Sequence, residues 1–182
     1  LQYFADGIRI RNIEADAIYA GIMVDTDNFL QKTGVRTFEA AAFLRRCGAD
    51  VTRVRKLFRE DMNDYRARGE TIRNAELFRN AFAISECPAD YVDSPTVVGA
   101  QAANELLNII GVKASFVLTD YKGTIYVSAR AIDEVNVQII MERMGGGGHL
   151  NIAGCQLEGY SVSRAKNYLK EVLTEMLDGG EL

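Results

Sequence analysis

The chain has 182 residues, of which 48% are hydrophobic and 25% are charged, and its formal net charge at pH 7 is −4. This composition is typical of a folded soluble protein and excludes a chain that is disordered throughout. The acidic balance argues against a general attraction to long nucleic acids or to anionic membranes. Any site for phosphate must therefore be a local feature.

The three cysteines, Cys47, Cys87 and Cys155, are far apart and form no CxxC pair. This spacing favours packed thiols in a reducing compartment over a disulfide framework or a zinc knuckle. No apolar run reaches the roughly 18 residues that a membrane helix requires, and no signal-peptide pattern is present. The sequence predicts a cytoplasmic chain without membrane contact. Because it starts at Leu1 rather than Met, we expect a fragment of a longer protein.

The first part of the chain has helical patterns. Residues 13–23 (IEADAIYAGIM) carry small and apolar residues at helical spacing, and the polar stretch VDTDNFLQKTGVRTF follows. Residues 38–46 predict a second helix, with Thr37 as its N-cap and Gly48 just beyond its end. Residues 49–61 predict a third, with one apolar face composed of Val51, Val54, Leu57 and Phe58.

The pattern changes near residue 80. Residues 81–87 alternate as a strand does, and residues 96–110 predict an amphipathic helix that ends at Gly111. The runs KASFVLTD and TIYVSAR predict a hairpin with Gly123 in its turn. Helices over 134–144 and 163–177, with a strand over 153–158, complete the pattern. We therefore predict an α/β (α+β) chain with a helical domain at 1–80, a mixed-sheet domain at 81–182, and the boundary between residues 75 and 82.

A run of four glycines, Gly145, Gly146, Gly147 and Gly148, precedes His149, the one histidine of the sequence. A turn needs one or two glycines and each further one adds to the entropic cost of folding, so the excess favours a function. Successive backbone N–H groups can form a concave site for anionic oxygens, and His149 can donate to phosphate. The alternative, more common for glycine-rich loops in general, is a tight connection with a buried histidine.

Two further places carry candidate chemistry. Ser128 and Arg130 alternate onto one face of a predicted strand end, and a guanidinium with a nearby hydroxyl suits phosphate. Taken alone, an exposed strand end is the better explanation of these two residues. Asp25 and Asp27 follow an apolar run, and carboxylates suit Mg²⁺ or Mn²⁺. Asp27 also fits an Asx turn. Two carboxylates do not complete a two-metal site, so most ligands would lie outside this chain.

The segments GIMVDTDNF, TGVRTFEAAAFLRRCGAD, SAR and VNVQIIMERMGGGGHLNIAG resemble the DHH phosphoesterase superfamily, in particular the GdpP-type cyclic-di-AMP phosphodiesterases. The resemblance covers essentially the whole chain. It implies that residues 1–80 are the later part of a DHH domain and that residues 81–182 are a DHH-associated domain. The glycine run ending in histidine is specific to the superfamily, whereas VDTDNF and TGVRTFEAAAFL narrow the resemblance to the cyclic-dinucleotide branch.

The resemblance implies metal-assisted hydrolysis of cyclic di-AMP to linear 5′-pApA by a hydroxide held between two Mn²⁺ ions. Of the metal ligands, only Asp25 of the VDT motif has a matching position here, and the Asp-His-His triplet would lie upstream. Ser128, Arg130, the four glycines and His149 match the substrate-binding positions. We therefore expect this chain alone to hydrolyse little or nothing, and we expect the complete protein to include upstream membrane-anchoring segments.

Two alternatives remain open at this stage. A nanoRNase or 3′,5′-bisphosphate phosphatase of the same superfamily shares the Gly-His motif and would act on short oligonucleotides. A non-catalytic module, similar to the C-terminal domain of alanyl-tRNA synthetases, would bind RNA, although the acidic balance argues against it. Pairing with a second copy of the chain, as a homodimer, is also left open.

Overall fold

The computed structural model describes residues 9–30 and 32–182. The chain divides into two compact units, Leu1–Glu60 and Asp61–Leu182. Across the described residues, none of the helices combines the length and the apolar character that crossing a bilayer requires.

The first unit is helical, as the sequence predicts. It contains α1 (Asn12–Asp25), α2 (Val35–Arg46) and α3 (Val51–Leu57). α1 packs on both α2 and α3, and the buried side chains between them include Ala15, Leu44 and Ala49. The packed face predicted for α1, which comprised Ile13, Ala17, Ala20 and Gly21, is wrong. Only Ala20 of these four is partly buried, and the buried residues of α1 are Ala15 and Asp16.

Capping in the first unit differs in part from the prediction. α2 begins at Val35 with Gly34 as its N-cap, so the prediction that Thr37 is the N-cap is wrong. Thr37 lies in the first turn, where its Oγ1 accepts the Gly34 N–H at 3.3 Å and satisfies a donor at the helix start. Gly48 ends α2 as predicted, with a φ of 97° in the left-handed region that glycine favours. Of the predicted apolar face of α3, Val54 is buried, whereas the other members are exposed: Val51, Leu57 and Phe58.

The second unit is built on a six-stranded mixed sheet of order β1-β2-β3-β4-β6-β5. Its strands are β1 (Glu76–Phe78), β2 (Phe82–Cys87), β3 (Ala114–Tyr121), β4 (Thr124–Ala131), β5 (Gly147–His149) and β6 (Ile152–Glu158). Its helices are α4 (Met62–Arg73), α5 (Pro95–Leu106), α6 (Val137–Arg143) and α7 (Val162–Asp178). β2 and β3 are parallel and are connected through α5, while the other neighbouring pairs are antiparallel.

The predicted hairpin is present, and its turn follows the expected chemistry. β3 and β4 pair in register from Ala114 opposite Ala131 to Tyr121 opposite Thr124. The two residues between the strands, Lys122 and Gly123, have φ values of 54° and 81°. Two successive positive φ values are the signature of the type I′ turn, whose twist matches that of the strands.

The two faces of the sheet are covered unequally. On one face, β2, β3, β4 and β6 pack against α6 and α7 in a large apolar cluster around Phe116, Ile125 and Leu169. On the other face, α5 packs on β3 and β4 and contacts α4. Burial alternates along β4, so Tyr126, Ser128 and Arg130 lie on this second face and are only partly buried. This part of the sheet is therefore accessible to a ligand.

The compact units divide upstream of the boundary predicted between residues 75 and 82 because α4 and β1 belong to the sheet unit. α4 packs on α5 and β2, and β1 pairs with β2. Within this layer, Ser85 Oγ donates to the Thr71 carbonyl at 2.5 Å. Residues 62–73 were predicted only as part of the helical domain at 1–80, and a helical pattern does not show the surface on which a helix packs. A boundary between family domains at residue 80 stays a prediction.

Candidate functional site

A cavity of about 420 Å³ lies on the accessible part of the sheet. Tyr126 and Ser128 line it from β4, and their partners on β6, Gln156 and Gly154, lie directly opposite them. Its lining is completed by Thr96 in the first turn of α5 and by Val127, Gly145, Gly146 and Cys155. Of the predicted site residues, Ser128, Gly145 and Gly146 therefore meet in one cavity.

Arg130 lies one step beyond Ser128 on the same face of β4. Its Nε donates to Asn104 Oδ1 of α5 at 2.9 Å, and its Nη1 donates to the Ala129 carbonyl at 2.9 Å. Burial lowers the pKa of the Arg130 guanidinium, and in the described part of the chain no carboxylate acts against this shift. Arginine nevertheless keeps its charge in proteins. A partly buried cation with only neutral partners attracts an anion.

The first two glycines of the run end α6. The Gly145 N–H donates to the Glu142 carbonyl at 3.0 Å, and the Gly146 N–H donates to the Met141 carbonyl at 2.8 Å. With Gly145 at a φ of 83°, this is the Schellman arrangement that closes many helices. The prediction that all four glycine amides are free for an anion is therefore wrong for Gly145 and Gly146, because helix carbonyls already accept both. Substrate contact by these residues through other atoms stays a prediction.

Packing explains two of the glycines further along. A Cβ at Gly146 would collide with the Gly154 carbonyl oxygen and with Cys155 of β6. A Cβ at Gly148 would lie 2.5 Å from Ala153 Cα, and the φ of Gly148 is 150°, a backbone state that side chains disfavour. Gly147 differs from both, because a Cβ there would meet nothing within 4 Å. Gly147 pairs with Gly154 of β6, which lines the cavity, so its lack of a side chain leaves open space on the same side of the sheet.

His149 ends β5, which pairs with β6 and lies at the edge of the sheet. The side chain is exposed. The alternative of a buried structural histidine is therefore wrong. The sequence also gave no sign that Gly147 to His149 form a strand, since two of these three residues are glycine, which is depleted in strands. A substrate contact at His149 stays a prediction.

Asp25 is the last residue of α1, in the first unit. The turn that follows it has Asp27, Asn28 and Phe29 in succession at φ values of 45°, 57° and 69°. The side-chain hydrogen bonds that the described residues show here belong to Thr26, whose Oγ1 donates to the Ile22 carbonyl at 2.7 Å and accepts the Phe29 N–H at 3.0 Å. Successive left-handed residues without glycine are costly, and such strain is concentrated at functional sites.

The side chains that can bind a metal decide whether a metal fits this chain. Among residues 9–30 and 32–182, no group of three His, Cys, Asp or Glu side chains comes together at ligand distance. Asp25 alone therefore does not make a metal site. Binding of Mn²⁺ through Asp25 stays a prediction that depends on the resemblance.

Sequence reasoning missed three polar residues of the cavity: Thr96, Tyr126 and Gln156. Tyr126 could have been predicted from the sequence, because strand alternation places it on the same face as Ser128 and Arg130. Gln156 required the register between β4 and β6, and Thr96 required the packing of α5 on the sheet. Neither is encoded in a local pattern.

Comparison with known proteins places this geometry in a family. A model of the DHHA1 domain matches residues 89–177, which include α5 through most of α7. Over all of its residues, the chain is 41% identical to the cyclic-di-AMP phosphodiesterase GdpP of Geobacillus thermodenitrificans. Over 99% of its residues it is 44% identical to GdpP of Bacillus subtilis, and over 92% it is 40% identical to the cyclic-di-AMP phosphodiesterase PdeA of Listeria monocytogenes. It spans 28%, 28% and 26% of these proteins, respectively.

A solved structure shares the fold. An exopolyphosphatase-related protein from Bacteroides fragilis superposes with a TM-score of 0.82, at 23% identity, over 96% of this chain and 52% of that one. Fold and domain match together define a protein with a DHHA1 domain. The chain belongs to the DHH family, in its GdpP-type branch.

Proposed function

We propose that this chain is the substrate-binding part of a phosphodiesterase that hydrolyses cyclic di-AMP to linear 5′-pApA. The observation that carries the proposal is that Ser128, which lines the cavity, is followed on the same face of β4 by Arg130, a partly buried cation with only neutral partners in the described structure. The relatives that share 40 to 44% of its residues are cyclic-di-AMP phosphodiesterases, which supports the choice of substrate.

The residues of the site have distinct tasks in this proposal. Arg130 offers its remaining N–H groups to a phosphate, for which the planar guanidinium is well matched. Ser128 adds a hydroxyl donor two residues away on the same face. The exposed His149 contacts a further phosphate oxygen. Together they hold and orient the phosphodiester, so that attack on phosphorus occurs in line with the departing oxygen.

Gly147 has a different role from the other site residues, because its lack of a side chain leaves space for the ligand. Conformation or packing explains Gly145, Gly146 and Gly148, but neither explains Gly147. Backbone without a side chain lets a ligand approach closely. We therefore assign the ligand-facing position in the glycine run to Gly147.

The complete protein would supply what this chain lacks. Two Mn²⁺ ions, with Asp25 as one ligand, would provide Lewis-acid and hydroxide-generating chemistry when bound. The remaining ligands would come from other parts of the protein, so the 182-residue chain should hydrolyse little or nothing by itself. We place the chain in the cytoplasm, in a protein with upstream membrane-anchoring segments, and keep a homodimer as its open quaternary state.

Turnover by the complete protein tests the proposal. With Mn²⁺ present, cyclic di-AMP should be hydrolysed to pApA. Arg130→Gln should weaken substrate binding about tenfold to a hundredfold, because a hydrogen bond to a charged group contributes about 1.5–3 kcal/mol. Gly147→Val should raise KM without lowering the melting temperature, because the added side chain enters ligand space.

Thr124→Ala is the matched control, since Thr124 lies on the same face of β4 but outside the cavity. Efficient cleavage of short RNA with intact cyclic di-AMP would instead assign the chain to a nanoRNase or bisphosphate phosphatase. Salt-dependent binding of tRNA would favour the RNA-binding module. Unchanged kinetics in both Arg130→Gln and Gly147→Val would overturn the proposed site.

A further inference from the structure

An aromatic ring and an amide group lie side by side in the cavity. The pairing of the strands depends on neither side chain. Tyr126 of β4 and Gln156 of β6 are directly opposite each other in the antiparallel ladder, and both line the cavity. Directly opposite side chains have Cβ atoms about 5 Å apart. Among the described residues, neither the Tyr126 hydroxyl nor the Gln156 amide has a hydrogen-bond partner.

We propose that Tyr126 and Gln156 bind the base of the nucleotide, and that Gln156 selects adenine over guanine. The inference rests on the proposed function, because it assumes that a nucleotide phosphate lies at Ser128 and Arg130. It adds the residues that determine base specificity.

The geometry of β4 gives the nucleotide its direction. Tyr126, Ser128 and Arg130 follow one another on the same face. A strand rises about 3.4 Å per residue, so Tyr126 and Arg130 are separated by about 14 Å, with Ser128 midway. The cation stands at one end of this row and the aromatic ring at the other. A mononucleotide fits the row with its phosphate between Arg130 and Ser128, its ribose between Ser128 and Tyr126, and its base over Tyr126.

The size and polarity of the cavity agree with a base. Its volume of about 420 Å³ lies within the range of about 300–1,000 Å³ that small-molecule sites occupy. An aromatic side chain provides a stacking surface for any base, worth about 1–3 kcal/mol. Tyr126 also contacts Tyr121, whose ring centroid lies 6.4 Å away, and this contact limits the positions that the ring can take.

Gln156 supplies the selectivity. A glutamine amide forms two hydrogen bonds with adenine, because its oxygen accepts from N6–H₂ while its NH₂ donates to N7. Guanine presents two acceptors, O6 and N7, at the same edge, so one end of the amide would lose its partner. The residues that line the cavity include no arginine or lysine, the side chains that pair with this guanine edge. The chemistry of the lining therefore favours adenine.

Nuclear magnetic resonance of the 182-residue chain tests the inference. Three probes would be titrated separately: AMP, GMP and ribose 5-phosphate, which has the sugar and phosphate but no base. AMP should bind about tenfold more tightly than ribose 5-phosphate through stacking, and about tenfold more tightly than GMP through the amide. All three should shift the Ser128 and Arg130 amide resonances, whereas AMP should also shift the Gln156 side-chain NH₂.

Variants separate the two residues. Tyr126→Leu should remove most of the advantage of AMP over ribose 5-phosphate and leave ribose 5-phosphate binding unchanged. Gln156→Leu should remove the preference for AMP over GMP while AMP still binds more tightly than ribose 5-phosphate. Thr124→Ala should change none of these ratios. Gln156 is exposed, so its replacement should leave the melting temperature unchanged, which a thermal scan checks.

The outcomes distinguish this inference from the proposed function. Equal binding of AMP and GMP, or a preference that persists in Gln156→Leu, overturns adenine selection and leaves the phosphate site intact. Equal binding of AMP and ribose 5-phosphate overturns base binding at Tyr126. If none of the three probes shifts Ser128 or Arg130, the proposed function is overturned as well.

Discussion

The sheet unit and the helical unit bury their apolar side chains to different extents. In residues 61–182, large side chains such as Phe116, Leu169 and Met176 are fully buried between sheet and helices. In the described part of the helical unit, the core around Leu44 is small, and several large apolar side chains are more than half exposed: Ile13, Val24, Leu30, Val35, Phe38 and Leu57. Burial of apolar surface is the main favourable term in folding, so the two units should differ in stability.

The helical unit compensates with polar contacts at helix ends. Asp50 caps α3 by accepting the Thr52 N–H at 2.7 Å, and Asp16 of α1 accepts the Asp50 N–H at 2.7 Å. Arg45 Nη1 donates to the Ala49 carbonyl at 2.6 Å. Such contacts fix geometry well but contribute little net free energy each. We therefore predict that the sheet unit, which contains the cavity, is stable, and that the helical unit, which contains Asp25, is only marginally stable.

Separate expression of the two units should give the largest effect. Residues 61–182 should fold alone and melt cooperatively, because their sheet and both helical layers are contained in this segment. Residues 1–60 alone should lack cooperative structure, since a chain of this size is marginal even with a good core. Circular dichroism and the dispersion of amide resonances would measure both. A sharp melting transition of the isolated 1–60 segment would contradict the expected difference in stability between the two units.

Substitution in the glycine run should give an intermediate effect, confined to the sheet unit. Gly148→Ala should destabilise this unit by about 2 kcal/mol or more, because the φ of 150° is unfavourable for alanine and the new Cβ would meet β6. Gly147→Ala is the matched control, with open space at the same edge strand, and it should be nearly neutral. Chemical denaturation measures both. Equal losses in the two variants would show that strand propensity, rather than the two local geometries, decides stability here.

The elements that local patterns specify were predicted well. The hairpin of β3 and β4 was predicted from two alternating runs with Gly123 between them, and the type I′ turn confirms it. The end of α2 at Gly48 was predicted from the glycine alone. These features depend on φ preferences and on periodicity, which are properties of a few consecutive residues.

The features that were missed depend on contacts between distant residues. The placement of α4 with the sheet follows from its packing on α5, and the pairing of Gly147 to His149 with β6 follows from the end of α6. The same applies to the site. Ser128 was predicted from its strand, whereas Gln156 enters the cavity only through its register opposite Tyr126. The Gly145 and Gly146 amides donate to carbonyls of α6, which could not be predicted without knowing where α6 ends.

The smallest effect, and the one that concerns the helical unit most directly, should come from Asp16. Arg53 donates from Nε to Asp16 Oδ2 at 2.6 Å, and the Asp50 N–H donates to Oδ1. The hydrogen bond from Arg53, followed by that from the Asp50 backbone, lowers the pKa of Asp16 below its ordinary value. A carboxyl group with a lowered pKa in the folded state contributes stability that is present above its unfolded pKa, near 3.9. This contribution is lost as the pH falls through the folded value.

We therefore expect the helical unit to lose stability below about pH 4, in the range where the unfolded chain takes up the proton first. Asp16→Asn should lower the stability of this unit at neutral pH and reduce its dependence on acid, whereas Glu39→Gln, at an exposed position of α2, should change neither. Hydrogen exchange with mass spectrometry, which resolves the two units, measures both quantities between pH 3 and pH 7. An unchanged acid dependence in Asp16→Asn would mean that the Asp16–Arg53 contact contributes nothing, and that packing around Leu44 alone holds α1 against α3.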